Sequence, residues 1–180
     1  MPEFSPATQG WFEAAFAAPT PAQSLAWESI RAGRDTLVVA PTGSGKTLAA
    51  FLSAIDTLAS DPECRVAAPK STESTTQLDT RRNVSGPRVL YVSPLKALAV
   101  DIERNLRAPL AGIQRESQRL GRPVPDIRVG VRTGDTPADE RRRMTASPPD
   151  ILITTPESLF LLLTSQARSI LGDVRTVIID

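Results

Sequence analysis

The feature that most constrains the fold of this chain is a glycine-rich segment, A-P-T-G-S-G-K-T, at residues 40–47. A short run of β-branched and apolar residues precedes it at 36–39. Behind it, apolar side chains recur at helical spacing at Leu48, Phe51, Leu52, Ile55 and Leu58. A strand, a tight turn and a helix in this order predict a phosphate-binding loop, because the main-chain N–H groups of such a turn converge on one anion. The sequence therefore predicts a nucleotide site.

Individual positions in this segment have predicted roles. Gly43 and Gly45 allow the tight turn, because a Cβ there would block the approach of a phosphate. Lys46 would neutralise the β- and γ-phosphates, and the Thr47 hydroxyl would ligate Mg²⁺. Ala40 stands where the strict pattern has its first glycine, so the generic template is matched imperfectly. The predicted binding loop comprises Thr42, Gly43, Ser44, Gly45, Lys46 and Thr47.

Apolar runs alternate with helical patterns along the chain and predict an α/β fold. Short helices are predicted at 8–17 and 22–31, and a longer one is expected to kink or restart at Pro109. This alternation predicts a parallel sheet with helices on both faces and right-handed crossovers. Residues 1–34 are interpreted as N-terminal helices and 35–180 as the nucleotide-binding domain, with a polar insertion at 61–87. The predicted strands lie at residues 36–39, 88–92, 127–131, 151–154 and 174–179.

Several residue types are missing or rare, and this excludes some classes of function. The chain has no histidine, which excludes Ser-His-Asp and Cys-His catalysis and histidine-ligated metals. Cys64 is the single cysteine, which excludes an internal disulfide and favours a reducing cytoplasm. No membrane span or secretory signal is predicted. The formal net charge of +1 gives no global argument for nucleic-acid binding, so any such argument depends on local groups.

Short motifs along the whole chain resemble those of superfamily-two helicases of the DEAD/DEAH type, in order and in spacing. The phosphate loop resembles motif I. The other matching motifs are P-T-P-A-Q ending at Gln23 (Q motif), S-P-L-K-A-L-A starting at Ser93 (motif Ia), T-G-D at 133–135 (a further DNA-contacting motif), I-T-T-P-E-S-L at 153–159 (motif Ib) and V-I-I-D ending at Asp180 (the start of motif II). The wording of motifs Ia and Ib and the W-F…F…P-T-x-A-Q opening is similar to the Lhr (large helicase-related) family of bacteria and archaea.

This resemblance implies a RecA-like first helicase domain, truncated at motif II, with ATP and Mg²⁺ as cofactors. Lys46, Thr47 and Asp180 would be the catalytic residues, and Asp180 would hold Mg²⁺ through water. The family properties are translocation on single-stranded DNA, unwinding of duplexes including RNA–DNA hybrids, a link to DNA repair, and a second RecA-like domain in cis. The glutamate and arginine finger of the family lie beyond Asp180, so this piece alone is expected to bind ATP at most. The strand that follows motif II would also be missing, which leaves a gap beside the motif II strand.

Gln23 has a physical reason to contact the nucleotide. Its planar amide carries one donor and one acceptor, which suit the N6 and N7 atoms of adenine. The alternative interpretation is an ordinary polar residue at the start of a helix.

Three loops between strands and helices are candidate contacts for nucleic acid. A helix N-terminus offers N–H groups to a phosphate, and the carboxyl ends of parallel strands lie at one edge of the sheet. Together the loops could follow one backbone, although each alone could be only a helix cap. Arg141, Arg142 and Arg143 are interpreted as a solvated surface. The predicted contact residues are Ser93, Pro94, Leu95 and Lys96, then Thr133, Gly134 and Asp135, then Thr154, Thr155 and Pro156.

Other functions remain open at this stage. Motifs I to II are equally compatible with an ATP-dependent translocase or remodeller that does not separate strands. A different P-loop phosphotransferase, either a kinase or a GTPase, is a second alternative, although the N-K-x-D guanine motif of GTPases is not found. A third alternative is a fragment that binds ATP without performing work.

Overall fold

Four short parallel strands form one sheet in the order β2-β3-β1-β4. The computed structural model describes residues 4–61 and 86–180. In it, β1 is Val89–Val92, β2 is Val129–Arg132, β3 is Ile151–Thr154 and β4 is Thr176–Ile179. β1 pairs with β3 on one side and with β4 on the other, and β2 pairs with β3. The predicted parallel α/β sheet is therefore confirmed.

Six α-helices and one 3₁₀ helix are present in the described parts of the chain. The longest, α4, runs without interruption through the buried Pro109, so the helix does not restart there. Ile102, Leu106 and Ile113 form its buried face, and this packing holds both halves of α4 against the sheet. The bounds are α1 Pro6–Ala15, α2 Pro21–Arg31, α3 Lys46–Ser60, α4 Lys96–Arg119, α5 Ala138–Ala146, α6 Pro156–Leu163 and a 3₁₀ helix at Gln166–Asp173.

Helices cover both faces of the sheet. Tyr91 and Ile153 point to one face, where they join the main core with side chains of α1, α3 and α4. Leu90 and Leu152 point to the other face and pack with Leu162 of α6. β1 and β3 are buried along their whole length, as their continuous apolar sequences predict.

The two N-terminal helices belong to this same main core. Phe12 of α1 and Trp27 of α2 are buried, and their rings meet edge to face with centroids 5.5 Å apart. α1 packs on α4, where Gly112 leaves room for an indole ring. A Cβ at Gly112 would lie only 2.0 Å from Cδ1 of Trp11. A larger residue at this position would therefore push the two helices apart.

The predicted strand at residues 36–39 is not formed. Leu37 and Val39 are 89% and 86% exposed, and the segment has no ladder partner among the described residues. A strand needs a hydrogen-bonded neighbour, whereas an apolar run alone does not supply one. This segment and β4 instead border a cleft of about 1310 Å³, which we call the nucleotide cleft.

The predicted insertion at 61–87 lies largely outside the described residues, as does Cys64. Within the described ranges, no helix combines the length and the apolar character that a bilayer crossing requires.

Candidate functional site

The phosphate loop forms a tight turn at the start of α3. The Ser44 N–H donates to the Pro41 carbonyl over 3.3 Å, and both Gly43 and Gly45 have a φ of +81°. These left-handed conformations favour glycine. Gly45 is also the N-cap of α3, and no side chain caps this end. The first N–H groups of the helix, with its positive dipole end, therefore face the loop.

Two polar groups in the loop fit a bound phosphate. The Ser44 hydroxyl is buried and has no hydrogen-bond partner. The Lys46 ammonium donates to the carbonyls of Ala40 and Pro41, at 2.7 and 2.8 Å, so it is bound to the loop's own backbone. An anion in the turn would give the hydroxyl a partner and attract the ammonium. The residues present thus fit the phosphates of a nucleotide.

Gln23, which lies in α2 and outside the phosphate loop, is hydrogen-bonded to that loop. It forms a capping box with Thr20, in which Thr20 Oγ1 accepts from the Gln23 N–H and Gln23 Oε1 accepts from the Thr20 N–H. Its Nε2 donates to the Gly45 carbonyl over 3.3 Å, and Thr20 Oγ1 donates to the Ser44 carbonyl over 3.0 Å. Both ends of the amide are therefore engaged within the protein. The structure places Gln23 at a helix start, as in the alternative interpretation, and the adenine contact stays a prediction.

The proposed metal ligands lie in one cleft. Lys46, Thr47 and Asp180 all line the nucleotide cleft, although they come from opposite ends of the sequence. A hydroxyl and a carboxylate are oxygen ligands of the kind that Mg²⁺ prefers. Both Thr47 and Asp180 are exposed, so their oxygens are accessible from the cleft.

Tyr91 is a site residue that the sequence pattern assigned only to a buried strand. Its hydroxyl donates to Asp180 Oδ2 over 2.9 Å, and the Asp180 N–H donates to the Val92 carbonyl over 3.1 Å. Burial, and then the hydrogen bond to this carboxylate, raise the pKa of Tyr91. The phenol therefore keeps its proton at neutral pH and holds one oxygen of Asp180 in place.

The hydroxyl groups of the three candidate nucleic-acid loops are already used inside the protein. Ser93, Thr133 and Thr154 are buried at the ends of β1, β2 and β3. Ser93 Oγ donates to the Leu95 carbonyl over 3.2 Å, and Thr154 Oγ1 donates to the Arg132 carbonyl over 2.7 Å. The Ser93 and Thr154 hydroxyls therefore donate within the protein, and Thr133 Oγ1 accepts from the Asp135 N–H over 3.4 Å.

Two more hydroxyls, in or directly beside these loops, also stabilise turns. Thr155 caps α6 by accepting from the Ser158 N–H over 3.4 Å. The Oγ1 of Thr136 accepts from the Thr133 N–H over 2.9 Å and closes the second loop. Thr136 therefore stabilises this loop and does not cap α5.

Each of the three loops contributes exposed residues to this edge. Pro94, Leu95 and Lys96 are exposed, and no side chain caps the N-terminus of α4. Lys96 reaches the second loop, where its ammonium donates to both carboxylate oxygens of Asp135 at 2.8 Å. Gly134, Asp135 and Pro156 are exposed too. We call these three loops, at 93–96, 133–135 and 154–156, the nucleic-acid edge.

The three consecutive arginines of α5 have different environments. Arg141 is partly buried and donates from Nε to the Thr136 carbonyl and from Nη2 to the Gly134 carbonyl, at 2.7 and 2.9 Å. Arg143 pairs with Asp139 at 2.7 Å on an exposed helix face. The interpretation of a plain solvated surface is therefore wrong for Arg141, because this side chain holds the backbone of the T-G-D loop.

The sequence matches the DEAD/DEAH box helicase family over residues 20–180. It is 61% identical to the Lhr helicase/probable uracil glycosylase of Mycolicibacterium smegmatis, a match that covers 98% of this chain and 11% of that protein. The Lhr helicase/uracil glycosylase of Escherichia coli is 51% identical over the same shares of both chains. An ATP-dependent helicase Lhr-Core of Methanocaldococcus jannaschii is 42% identical, covering 94% of this chain and 18% of its own length. The resemblance drawn from the motifs is confirmed.

Solved structures show the same likeness. The helicase Lhr of Mycobacterium smegmatis, bound to ssDNA and AMP-PNP, superposes with a TM-score of 0.84 at 60% identity, over 98% of this chain and 20% of that one. The helicase MrfA, bound to DNA and AMPPNP, has a TM-score of 0.73 at 23% identity, over 100% and 21% of the two chains, and shows the fold alone. The chain thus spans about a tenth to a fifth of these relatives.

Proposed function

The chain belongs to the DEAD/DEAH box helicase family, and from that premise we propose that it provides the first, ATP-binding RecA-like domain of an ATP-dependent helicase. The observation that carries this proposal is the meeting of Lys46, Thr47 and Asp180 in the nucleotide cleft. A loop for phosphates and two oxygen ligands for a metal line the same cleft, which supports Mg²⁺–ATP as its ligand. The similarity to an Lhr helicase whose structure was solved bound to ssDNA and AMP-PNP supports the same choice of ligand.

In this proposal each part of the phosphate loop has one task. The N–H groups around Thr42, Gly43 and Gly45 and the Ser44 hydroxyl hold phosphate oxygens. Lys46 leaves the backbone carbonyls that it now contacts and binds the β- and γ-phosphates. Thr47 and Asp180 would hold Mg²⁺, and Tyr91 fixes the orientation of the Asp180 carboxylate. When bound, Mg²⁺–ATP supplies the hydrolysis energy on which movement along nucleic acid depends.

The proposed track is the phosphate backbone of single-stranded DNA. The uncapped N-terminus of α4 and the ammonium of Lys96 provide donors at the nucleic-acid edge. The similar Lhr helicase was solved with ssDNA, which supports DNA over RNA as the strand followed. The finer parts of this proposal are the unwinding of RNA–DNA hybrids and a second RecA-like domain in cis. They also include a role in DNA repair, in the cytoplasm at the nucleoid.

A Lys46→Ala variant of the full-length protein tests the nucleotide site. We expect the affinity for a fluorescent ATP analogue to fall at least about 10-fold and hydrolysis at least about 100-fold, because a charge that faces the transferred phosphoryl group is lost. Binding of an oligonucleotide without nucleotide should change little. The matched control is Arg115→Ala, which removes one positive charge from an exposed position of α4. Unchanged nucleotide affinity in Lys46→Ala would contradict the proposal.

A further inference from the structure

A pocket of about 410 Å³ lies at the carboxyl end of β2, and three of its five lining residues are arginines. Its lining residues are Arg132, Arg141, Arg142, Thr145 and Ala146, which we call the arginine pocket. No carboxylate is among them. The like charges of Arg132 and Arg141 repel one another, and an anion beside them would offset this repulsion.

The charges of this pocket are not neutralised by the described residues. Arg132, Arg141 and Arg142 form no ion pair there, whereas the next residue, Arg143, pairs with Asp139. One nitrogen of Arg132, Nη1, is buried and has no hydrogen-bond partner. A buried donor without a partner costs free energy, and more so when it is charged. Burial, and then the nearby charge of Arg141, lower the pKa of Arg132, which reflects the same uncompensated cation.

The pocket adjoins the nucleic-acid edge. The Arg132 carbonyl accepts the hydrogen bond of Thr154, and Arg141 holds the carbonyls of Gly134 and Thr136. Two of the three loops of the edge are thus bonded directly to residues of the pocket. Because β2 is the outer strand of the sheet, the pocket lies at the outer end of this row of loops.

We propose that Arg132 and Arg142 form a subsite for one backbone phosphate of a nucleic-acid strand, at the outer end of the nucleic-acid edge. Arg141 is a positioning residue here, since its guanidinium holds the loop between the pocket and Lys96. The subsite rests on the proposed function, because it needs a strand that runs along this edge. It extends the predicted contact set beyond the three loops to a site that reads charge and not base sequence.

The test compares two neighbouring arginines of α5 in the full-length protein. Arg142→Gln removes a charge from the pocket, and Arg143→Gln removes one that Asp139 already neutralises. We expect Arg142→Gln to weaken binding of a single-stranded oligonucleotide about 3- to 10-fold, and to lower the slope of log affinity against log salt by about 0.7, the value for one phosphate. Arg143→Gln should change the affinity less than about 2-fold on the same scale.

A second variant and a second ligand separate the possible failures. Arg132→Gln should reproduce the effect of Arg142→Gln, with folding checked by thermal melting and by affinity for an ATP analogue. Equal oligonucleotide affinity in Arg142→Gln and Arg143→Gln overturns the subsite and leaves the proposed function intact. The second ligand is inorganic phosphate. If Arg142→Gln abolishes only the thermal stabilisation by inorganic phosphate and leaves oligonucleotide affinity unchanged, the pocket binds a free anion and the assignment to a backbone phosphate is wrong. A wild-type protein that binds ATP but no oligonucleotide overturns both proposals.

Discussion

At the nucleic-acid edge the hydroxyl side chains are buried and hydrogen-bonded, whereas around the phosphate loop Ser44 lacks a partner and Lys46 contacts the loop's own backbone. Thr154 and Ser93 are fully buried, and each donates to a nearby carbonyl. In the phosphate loop the Ser44 hydroxyl has no partner, and Lys46 donates to two carbonyls of its own loop. The segment before the loop, with Leu37, is almost fully exposed.

This difference shows two ways of preparing a site. The nucleic-acid edge is shaped by hydrogen bonds within and between neighbouring strand ends, so its geometry is fixed before any ligand arrives. The phosphate loop depends on contacts from a distant helix, through Thr20 and Gln23, and keeps donors that a ligand would satisfy. We therefore expect substitutions at the phosphate loop to change ligand affinity most, and substitutions at the edge to change stability first.

The largest effect is expected for Gly45→Ala in the phosphate loop. Its φ is +81°, and a Cβ would lie 2.3 Å from Nε2 of Gln23, so both the loop and the Gln23 side chain that contacts it must move. We expect nucleotide affinity to fall about 100-fold, since small displacements of positioning groups have effects of this size. Titration with a fluorescent ATP analogue measures it.

The control for Gly45→Ala is Gly121→Ala. Gly121 also has a positive φ, +62°, but a Cβ there meets nothing within 4 Å. It should lower the free energy of unfolding by about 1 kcal/mol through backbone strain alone and leave nucleotide affinity unchanged. Equal nucleotide affinities in the two variants would mean that the contact with Gln23 does not determine the conformation of the phosphate loop.

An intermediate effect is expected for Thr154→Val at the nucleic-acid edge. The change keeps the shape but leaves the Arg132 carbonyl without the donor that lies 2.7 Å away. We expect the free energy of unfolding to fall by about 1 to 3 kcal/mol, measured by urea titration. Thr57→Val is the control, because Thr57 donates to a helix carbonyl at an exposed position and should cost under about 0.5 kcal/mol. Similar losses of unfolding free energy in both variants would show that buried hydrogen bonds do not fix the geometry of the nucleic-acid edge.

The smallest effect is expected for Asp135→Asn. The carboxylate pairs with Lys96, and their side chains are 75% and 55% exposed, so stability should change by less than about 1 kcal/mol. Freeing the ammonium and removing a negative charge should raise oligonucleotide affinity about 2- to 3-fold at low salt, and less at high salt. Asp139→Asn removes the same charge from an exposed pair with Arg143 and serves as the control. Weaker oligonucleotide binding in Asp135→Asn would mean that the carboxylate itself contacts the strand.

Local patterns predicted much of this molecule. The phosphate loop and four of the five predicted strands followed from short apolar runs and turn residues, because these elements depend on neighbours in sequence. The exception, at residues 36–39, has the same apolar pattern but no strand beside it. Burial in a sheet is set by the partner strand, and the segment's own sequence carries no information about that partner.

The parts of the site that sequence reasoning missed involve long-range contacts. Tyr91 reaches Asp180 only because β1 and β4 pair in parallel register, and nothing in either strand alone signals this. For Gln23, the T-x-x-Q spacing is a capping-box pattern as well as part of a nucleotide motif, so sequence could not decide between the two roles. Arg141 looked like one of three equal charges, and only the fold distinguishes it from Arg143.

The space that Gly112 leaves for the Trp11 ring determines how closely α1 is coupled to α4. α4 starts at Lys96, where a nucleic-acid strand would contact it. α1 packs against α4 about 24 Å further along, at a rise of about 1.5 Å per residue. Because α4 is unbroken and packs on the core through Ile102, Leu106 and Ile113, we expect a displacement of its N-terminus to shift the whole helix together with α1. A bulkier residue at position 112 would displace Trp11 and weaken this coupling.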